Sequence, residues 1–95
     1  MDTVTKKELI EIVSEKTGTK RLLAKAVVQA FLDEIIEQLG AGNRLEFRDF
    51  GVFETKQRAQ RIAQNPKTLE KVKVPSKVAV KFKPGRLMKQ KVDES

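Results

Sequence analysis

Between Lys56 and Val74 the chain carries Arg58, Arg61, Lys67, Lys71 and Lys73 at close intervals, and Glu70 is the only acid in that stretch. Cations at this density suit a polyanion. Each one that neutralises a phosphate releases condensed counterions, which drives affinity with little regard to base sequence. Gln64 and Asn65 add amides of the kind that read acceptors in a narrow groove, and Asn65-Pro66 is a turn signal. A proline at a hairpin tip has no N–H to satisfy and presents a rigid apolar ring. Such a ring is suited to wedging between base pairs, where unstacking a step costs about a few kcal/mol. Two plainer readings stay open on the residues alone: a strand edge guarded by charge, and an ordinary turn proline.

The charge of the whole chain is distributed in the same sense. The net charge is +7 over 95 residues, yet residues 1–54 hold 8 Lys/Arg against 10 Asp/Glu. Residues 55–75 hold 6 against 1, and residues 76–95 hold 6 against 2. A basic half set against an acidic-to-neutral half points to a polyanion-binding surface, with nucleic acid favoured over an anionic membrane or a solubility device. There is no His and no Cys, so imidazole ligands, thiolates and disulfides are excluded together, and no metal or cofactor is expected. Glu34 and Glu37 lie three apart on a helix and read as solvated charge, so the chain is expected not to be an enzyme and to take no small-molecule substrate. No stretch approaches the roughly 18 apolar residues of a membrane span, and Met1 to Lys7 lead into no apolar run. A soluble, cytoplasmic protein without membrane contact is expected.

The elements that must position these cations follow from periodicity. Thr5-Lys6-Lys7-Glu8 is a capping box; Leu9, Ile12 and Val13 continue at helical spacing, so a helix is expected from about Lys6 to Thr17, stopped by Gly18. Thr19 is the expected N-cap of a second helix, about Lys20 to Leu39. Its apolar positions Ala24, Val27, Val28, Phe31, Leu32, Ile35, Ile36 and Leu39 form a stripe too wide for one small core. A monomer would leave much of it in water, so a dimer is expected.

After Gly40-Ala41-Gly42 the period becomes two. Arg44 to Phe47 reads as a strand, Asp49-Phe50-Gly51 as a turn or bulge, and Val52 onward as a longer strand. A return strand is expected from about Lys67 to Val74, interrupted by Pro75. Lys77 to Lys83 then alternates, with Val78, Val80 and Phe82 inward and Lys77, Lys81 and Lys83 outward. A short helix from about Arg86 to Val92 closes the chain. Phe31 on the helical stripe, and Phe47, Phe53 and Phe82 at alternating strand positions, read as core and not as base-stacking platforms. The span 56–74 has too few apolar residues to cover a core, so it is expected to project as a hairpin that orders on its ligand.

The ordered set Asp49-Phe50-Gly51-Val52-Phe53-Glu54, Arg58, Arg61, Asn65-Pro66-Lys67-Thr68, Pro75 and Phe82-Lys83-Pro84-Gly85 resembles the signature of the bacterial HU/integration-host-factor family, and the helix pair resembles it too. The resemblance spans nearly the whole chain. It implies an α+β fold: an intertwined dimer with a helical base, a short three-stranded antiparallel sheet, a long protruding β-hairpin arm per subunit and a short C-terminal helix. One domain, 1–95, is expected, with a helical dimerisation region at about 1–42, sheet at about 43–55 and 75–83, the arm at about 56–74 and the helix at about 85–92.

The resemblance further implies double-stranded DNA as partner, bent and compacted through the minor groove in the nucleoid, with Pro66 intercalating. Arg58, Arg61, Asn65 and Lys73 would meet the groove or its phosphates, supported by Gln64, Lys67, Thr68, Lys71 and Lys81. Lys6, Lys83 and Arg86 would meet flanking phosphates, the last aided by free N–H groups where its helix begins. Val27, Phe31, Ile35, Phe47, Phe50, Phe53 and Phe82 would form the dimer core. A homodimer is expected, with a heterodimer of paralogues as the alternative. A sequence-specific DNA-bending regulator and a basic RNA-binding protein are the competing functions.

Four positions depart from the family pattern. Ala63-Gln64 stand where Gly-Arg is usual, which removes a cation from the arm. Leu69 stands where a glycine usually follows, which disfavours a positive φ there. Asp49 replaces a third glycine, with Arg44 or Arg48 as its expected partner.

Overall fold

The computed structural model describes residues 2–58, 61–64, 67–74 and 77–93; for residues 58, 61–63 and 72–74 it describes the backbone alone. The elements are α1 (Lys6–Thr17), α2 (Arg21–Gly40), β1 (Leu45–Phe47), β2 (Gly51–Arg58), β3 (Arg61–Gln64), β4 (Lys71–Val74), β5 (Lys77–Pro84) and α3 (Arg86–Asp93). They fall into two compact units, residues 1–37 and 38–95. The α+β class expected from the periodicities is the one observed.

In the first unit α1 begins and ends as its sequence dictates. The Thr5 hydroxyl accepts from the Glu8 N–H at 3.3 Å and donates to the Glu8 carboxylate at 3.2 Å. The carboxylate thus returns to the cap through its hydroxyl. Gly18 stops the helix with φ 66°. The start of α2 differs from expectation. Its first helical carbonyl belongs to Lys20, which accepts from Ala24 N–H at 2.9 Å, so Thr19 lies one residue before the cap. Its groups serve the turn instead: Ser14 Oγ donates to the Thr19 carbonyl at 2.6 Å, and Thr17 Oγ1 to the Thr19 hydroxyl at 2.9 Å. Arg21 pairs with Glu11 across the two helices.

Within one copy, this unit buries little. Ile10 and Ala24 are the buried hydrophobic side chains among the described residues. Val27 is 59% exposed, Phe31 54% and Ile36 70%, and Val13, Leu23, Ala24, Val27 and Val28 line an open apolar cavity of about 270 Å³. At roughly 25 cal/mol per Å² of apolar surface, leaving this stripe in water forgoes a large part of a small domain's stabilisation.

In the second unit, hydrogen bonds close the end of α2: Gly42 N–H donates to the Leu39 carbonyl at 3.0 Å, Asn43 N–H to the Gln38 carbonyl at 3.0 Å, and Asn43 Nδ2 to Gln38 Oε1 at 2.8 Å. β1, β2 and β5 form an antiparallel sheet in that order, and β3 and β4 a separate two-stranded ribbon. Phe53 lies opposite Leu45 on one side and Phe82 on the other. The Phe53 and Phe82 ring centroids are 4.6 Å apart, and edge contacts with Phe47 and Phe50 at about 6 Å complete a four-ring cluster. Val78 and Val80 share the Phe82 side of β5 by alternation, but both stay exposed, at 64% and 61%. Their expected inward placement is therefore not fulfilled within one chain.

Two glycines make this packing close. A Cβ on Gly51 would fall 2.5 Å from the Phe82 ring and 2.8 Å from the Lys83 carbonyl; one on Gly85 would fall 2.7 Å from the Asp49 carbonyl carbon and 2.8 Å from its oxygen. Gly85 N–H also donates to the Phe50 carbonyl at 2.7 Å, which ties the 48–50 turn to the root of α3. Gly51→Ala and Gly85→Ala should each cost about 1–3 kcal/mol by overpacking, read as a fall in denaturation midpoint. Gly40→Ala, with open space at its Cβ, should stay within about 0.5 kcal/mol of the parent.

Candidate nucleic-acid interface

The cations singled out in the sequence fall in three places. One group lies on the ribbon, its turn and the adjoining end of β2. Arg58 ends β2 opposite Lys77, Arg61 begins β3 opposite Val74, Lys73 lies opposite Ile62, and Lys71 opposite Gln64. Lys67 and Thr68 form an exposed turn, and Lys71 and Gln64 are exposed too. Asn65 and Pro66 lie outside the described residues, as does Pro75. The return strand starts later than periodicity suggests, at Lys71 and not Lys67, because residues 67–70 are used by the turn.

A second group lies on the three-stranded sheet and its following helix. Alternation sets Glu54, Lys81 and Lys83 on the face opposite the phenylalanines, and the register puts Glu54 directly across from Lys81. Lys83 Nζ lies 3.1 Å from Glu54 Oε1, and Arg44 Nε 4.0 Å from its Oε2. The hydrogen bond and charge of Lys83, aided by Arg44 and Lys81, hold the Glu54 carboxyl below its ordinary range, against a smaller opposing effect of burial. Glu54 was not singled out as a site residue from the sequence; its signal becomes readable once the β2–β5 register is known. Lys6 forms the third place. It opens α1 in the first unit, where its Nζ donates to Gln29 Oε1.

Arg86 opens α3, and its surroundings correct two expectations. Its Nε lies 3.6 Å from Asp49 Oδ1, so Asp49 pairs with Arg86 and not with Arg44 or Arg48. Two of the N–H groups expected to be free at this helix start are also taken. Gly85 N–H is taken by the Phe50 carbonyl and Leu87 N–H by the Asp49 carbonyl at 3.1 Å.

The whole arrangement can neutralise a run of phosphates along a ribbon and a flanking sheet face. Among the described residues, no group of His, Cys, Asp or Glu is placed to hold a metal. A sequence model of the family described as bacterial DNA-binding protein matches residues 4–93. The chain belongs to this family. It is 40% identical over 90 residues to the DNA-binding protein HU of Thermus thermophilus, with 95% of this chain and 93% of that one covered. It is 42% identical over 97 positions to integration host factor subunit beta of Neisseria meningitidis, covering 95% and 92%. A cocrystal structure of Anabaena HU with DNA superposes with a TM-score of 0.86 at 36% identity, covering 97% of this chain and all of that one.

Membership in the bacterial DNA-binding protein family gives two backbone observations their meaning. Among the described residues, two non-glycine residues have positive φ: Asp49 at 63° and Leu69 at 62°. These are two of the positions where the family pattern carries glycine. The backbone is left-handed at both although neither residue is glycine. Aspartate tolerates it, but for leucine the steric cost is about 1–2 kcal/mol. Gln64, another departure, is engaged with Leu69: its Nε2 donates to the Leu69 carbonyl at 3.3 Å.

The lowered Glu54 pKa can be tested directly. A group depressed on folding adds stability above its unfolded pKa and loses it as pH falls through the folded value. Lys83→Met should therefore raise the Glu54 carboxyl midpoint in an NMR titration and shrink the acid-side dependence of stability. Added salt should act in the same direction.

Proposed function

We propose that two copies join through their exposed helical stripe, and that the dimer binds double-stranded DNA, bends it through the minor groove and compacts it as an architectural protein of the bacterial nucleoid. The protein accordingly acts in the cytoplasm and by binding, not by catalysis. The observation that carries this reading is the β3–β4 ribbon: a two-stranded element set with cations, in a chain whose family is DNA-binding. The exposure of Val27, Phe31 and Ile36 supports the shared base. Phe31, Ile35 and the four sheet phenylalanines supply its apolar contacts. Arg58, Arg61, Gln64, Asn65, Lys67, Thr68, Lys71 and Lys73 follow the groove from the arm. Pro66 enters a base step. Lys6, Lys81, Lys83 and Arg86 take flanking phosphates, the last two by exchanging Glu54 and Asp49 for DNA.

Integration host factor subunit beta stands beside HU among the similar proteins, so sequence-selective bending is the second reading. Affinities for a random duplex and for selected sites at fixed salt separate the two: a ratio above roughly 10³ favours selectivity. Preference for A-form RNA over B-DNA would remove both.

Pro66→Ala should reduce the bend far more than the affinity, because phosphate contacts hold the protein while the wedge sets the kink. Equal FRET bend angles for variant and parent would refute the wedge. Log K for the parent should fall steeply with log salt, in proportion to the phosphates neutralised, and a flat dependence would count against wrapping. The free protein should sediment as a dimer with a melting midpoint that rises with concentration; a stable monomer would overturn the shared base.

A further inference from the structure

The left-handed leucine between the ribbon strands is unexplained by the turn it occupies. Leu69 is 70% exposed, so its side chain is not held left-handed by packing on the protein. A glycine would adopt the same backbone without strain. The peptide that joins Leu69 to Glu70 is instead held at both its oxygen and its N–H by polar contacts. Gln64 Nε2 donates to the Leu69 carbonyl at 3.3 Å, and Glu70 N–H donates to the Thr68 hydroxyl at 3.4 Å. The neighbouring exposed side chains include the cations Lys67 and Lys71. An apolar group displayed on strained backbone among cations has the chemistry of a contact to nucleic acid: the cations meet phosphates, and the apolar group meets deoxyribose or a base step.

We infer that Leu69 is a DNA-contacting residue of the arm, an apolar element that buries its side chain in the minor groove, with Gln64 as the positioning residue that holds its backbone. This rests on the DNA reading above and adds to it a contact that the family pattern, with glycine at this position, does not provide. With Gln64 engaged by the Leu69 carbonyl, the contact made here is apolar and not ionic. The arm should consequently bind with less salt dependence at its tip and with more dependence on how easily a base step opens.

The test uses the full chain, a mixed-sequence duplex and anisotropy across a salt series. Leu69→Gly keeps the left-handed backbone and removes the side chain. Its affinity should fall about tenfold, the scale of burying most of a leucine, with the slope of log K against log salt unchanged. Leu69→Met should recover binding to within about threefold, since it restores apolar surface. Binding by the glycine variant as tight as the parent's would overturn the inference, as would a loss accompanied by a shallower salt slope or a methionine variant no better than glycine. Vesicles of anionic lipid form a control arm: an effect of Leu69→Gly there and not on duplex would also overturn it. Failure of the parent to bind duplex at all would instead sink the DNA reading on which this one stands, so the two failures are distinguishable.

Discussion

Across β2 and β5 the Phe53 and Phe82 rings meet at 4.6 Å between centroids, and the placement of every charge on the sheet depends on that contact. Strand side chains alternate with a period of two, so a one-residue slip would turn each of them to the other face. Pairing Phe53 with Phe82 leaves Glu54, Lys81 and Lys83 together on the far side. Gly51 locks the same register, because the Phe82 ring lies where its Cβ would be. From there the constraint passes along the backbone: the 48–50 turn precedes Gly51, and its carbonyls cap α3 at Gly85 and Leu87. Aromatic packing on one face thus sets the position of Arg86 on the other side of the turn.

The acids embedded in this basic surface are its second organising feature. Glu54 lies between Lys83 and Arg44, and Asp49 lies beside Arg86. Exposed pairs of this kind add little to stability, but they hold long side chains in defined places and lower the local potential. A phosphate that displaces either carboxylate gains a cation and leaves an acid to be rehydrated. The positive potential of this surface is therefore lower than its count of lysines and arginines suggests, whereas the span 56–74 holds a single acid.

Much of this was legible in the residues before any coordinates. Thr5 and Glu8 mark the start of α1 and Gly18 its end, because capping is chemistry between neighbours in sequence. The alternation of Lys77 to Lys83 reveals a strand for the same reason. Thr19 misleads because a threonine two residues ahead of a helix can serve either the helix or the preceding turn, and Ser14 and Thr17 decide the matter from outside the local window. The partner of Asp49 is hidden for a different reason. Arg86 is far along the chain, and only the β2–β5 pairing brings the turn to α3. Lys67 to Glu70 look like strand by composition, yet the backbone there turns, with Leu69 at φ 62°. Side-chain preference opposes that conformation, so no reading from propensity would place it.

The wide stripe on α2 shows the same limit from the opposite side. Composition reveals that it is too apolar for water, and in a single copy Val27, Phe31 and Ile36 do remain mostly exposed. A chain this short buries only about two-thirds of its unfolded surface even when well packed, and this one places a further part of its length in a ribbon with little apolar surface to bury. The ribbon can be long and cationic only if the missing core is recovered elsewhere. In the proposed dimer a second copy recovers it at the exposed apolar stripe of α2.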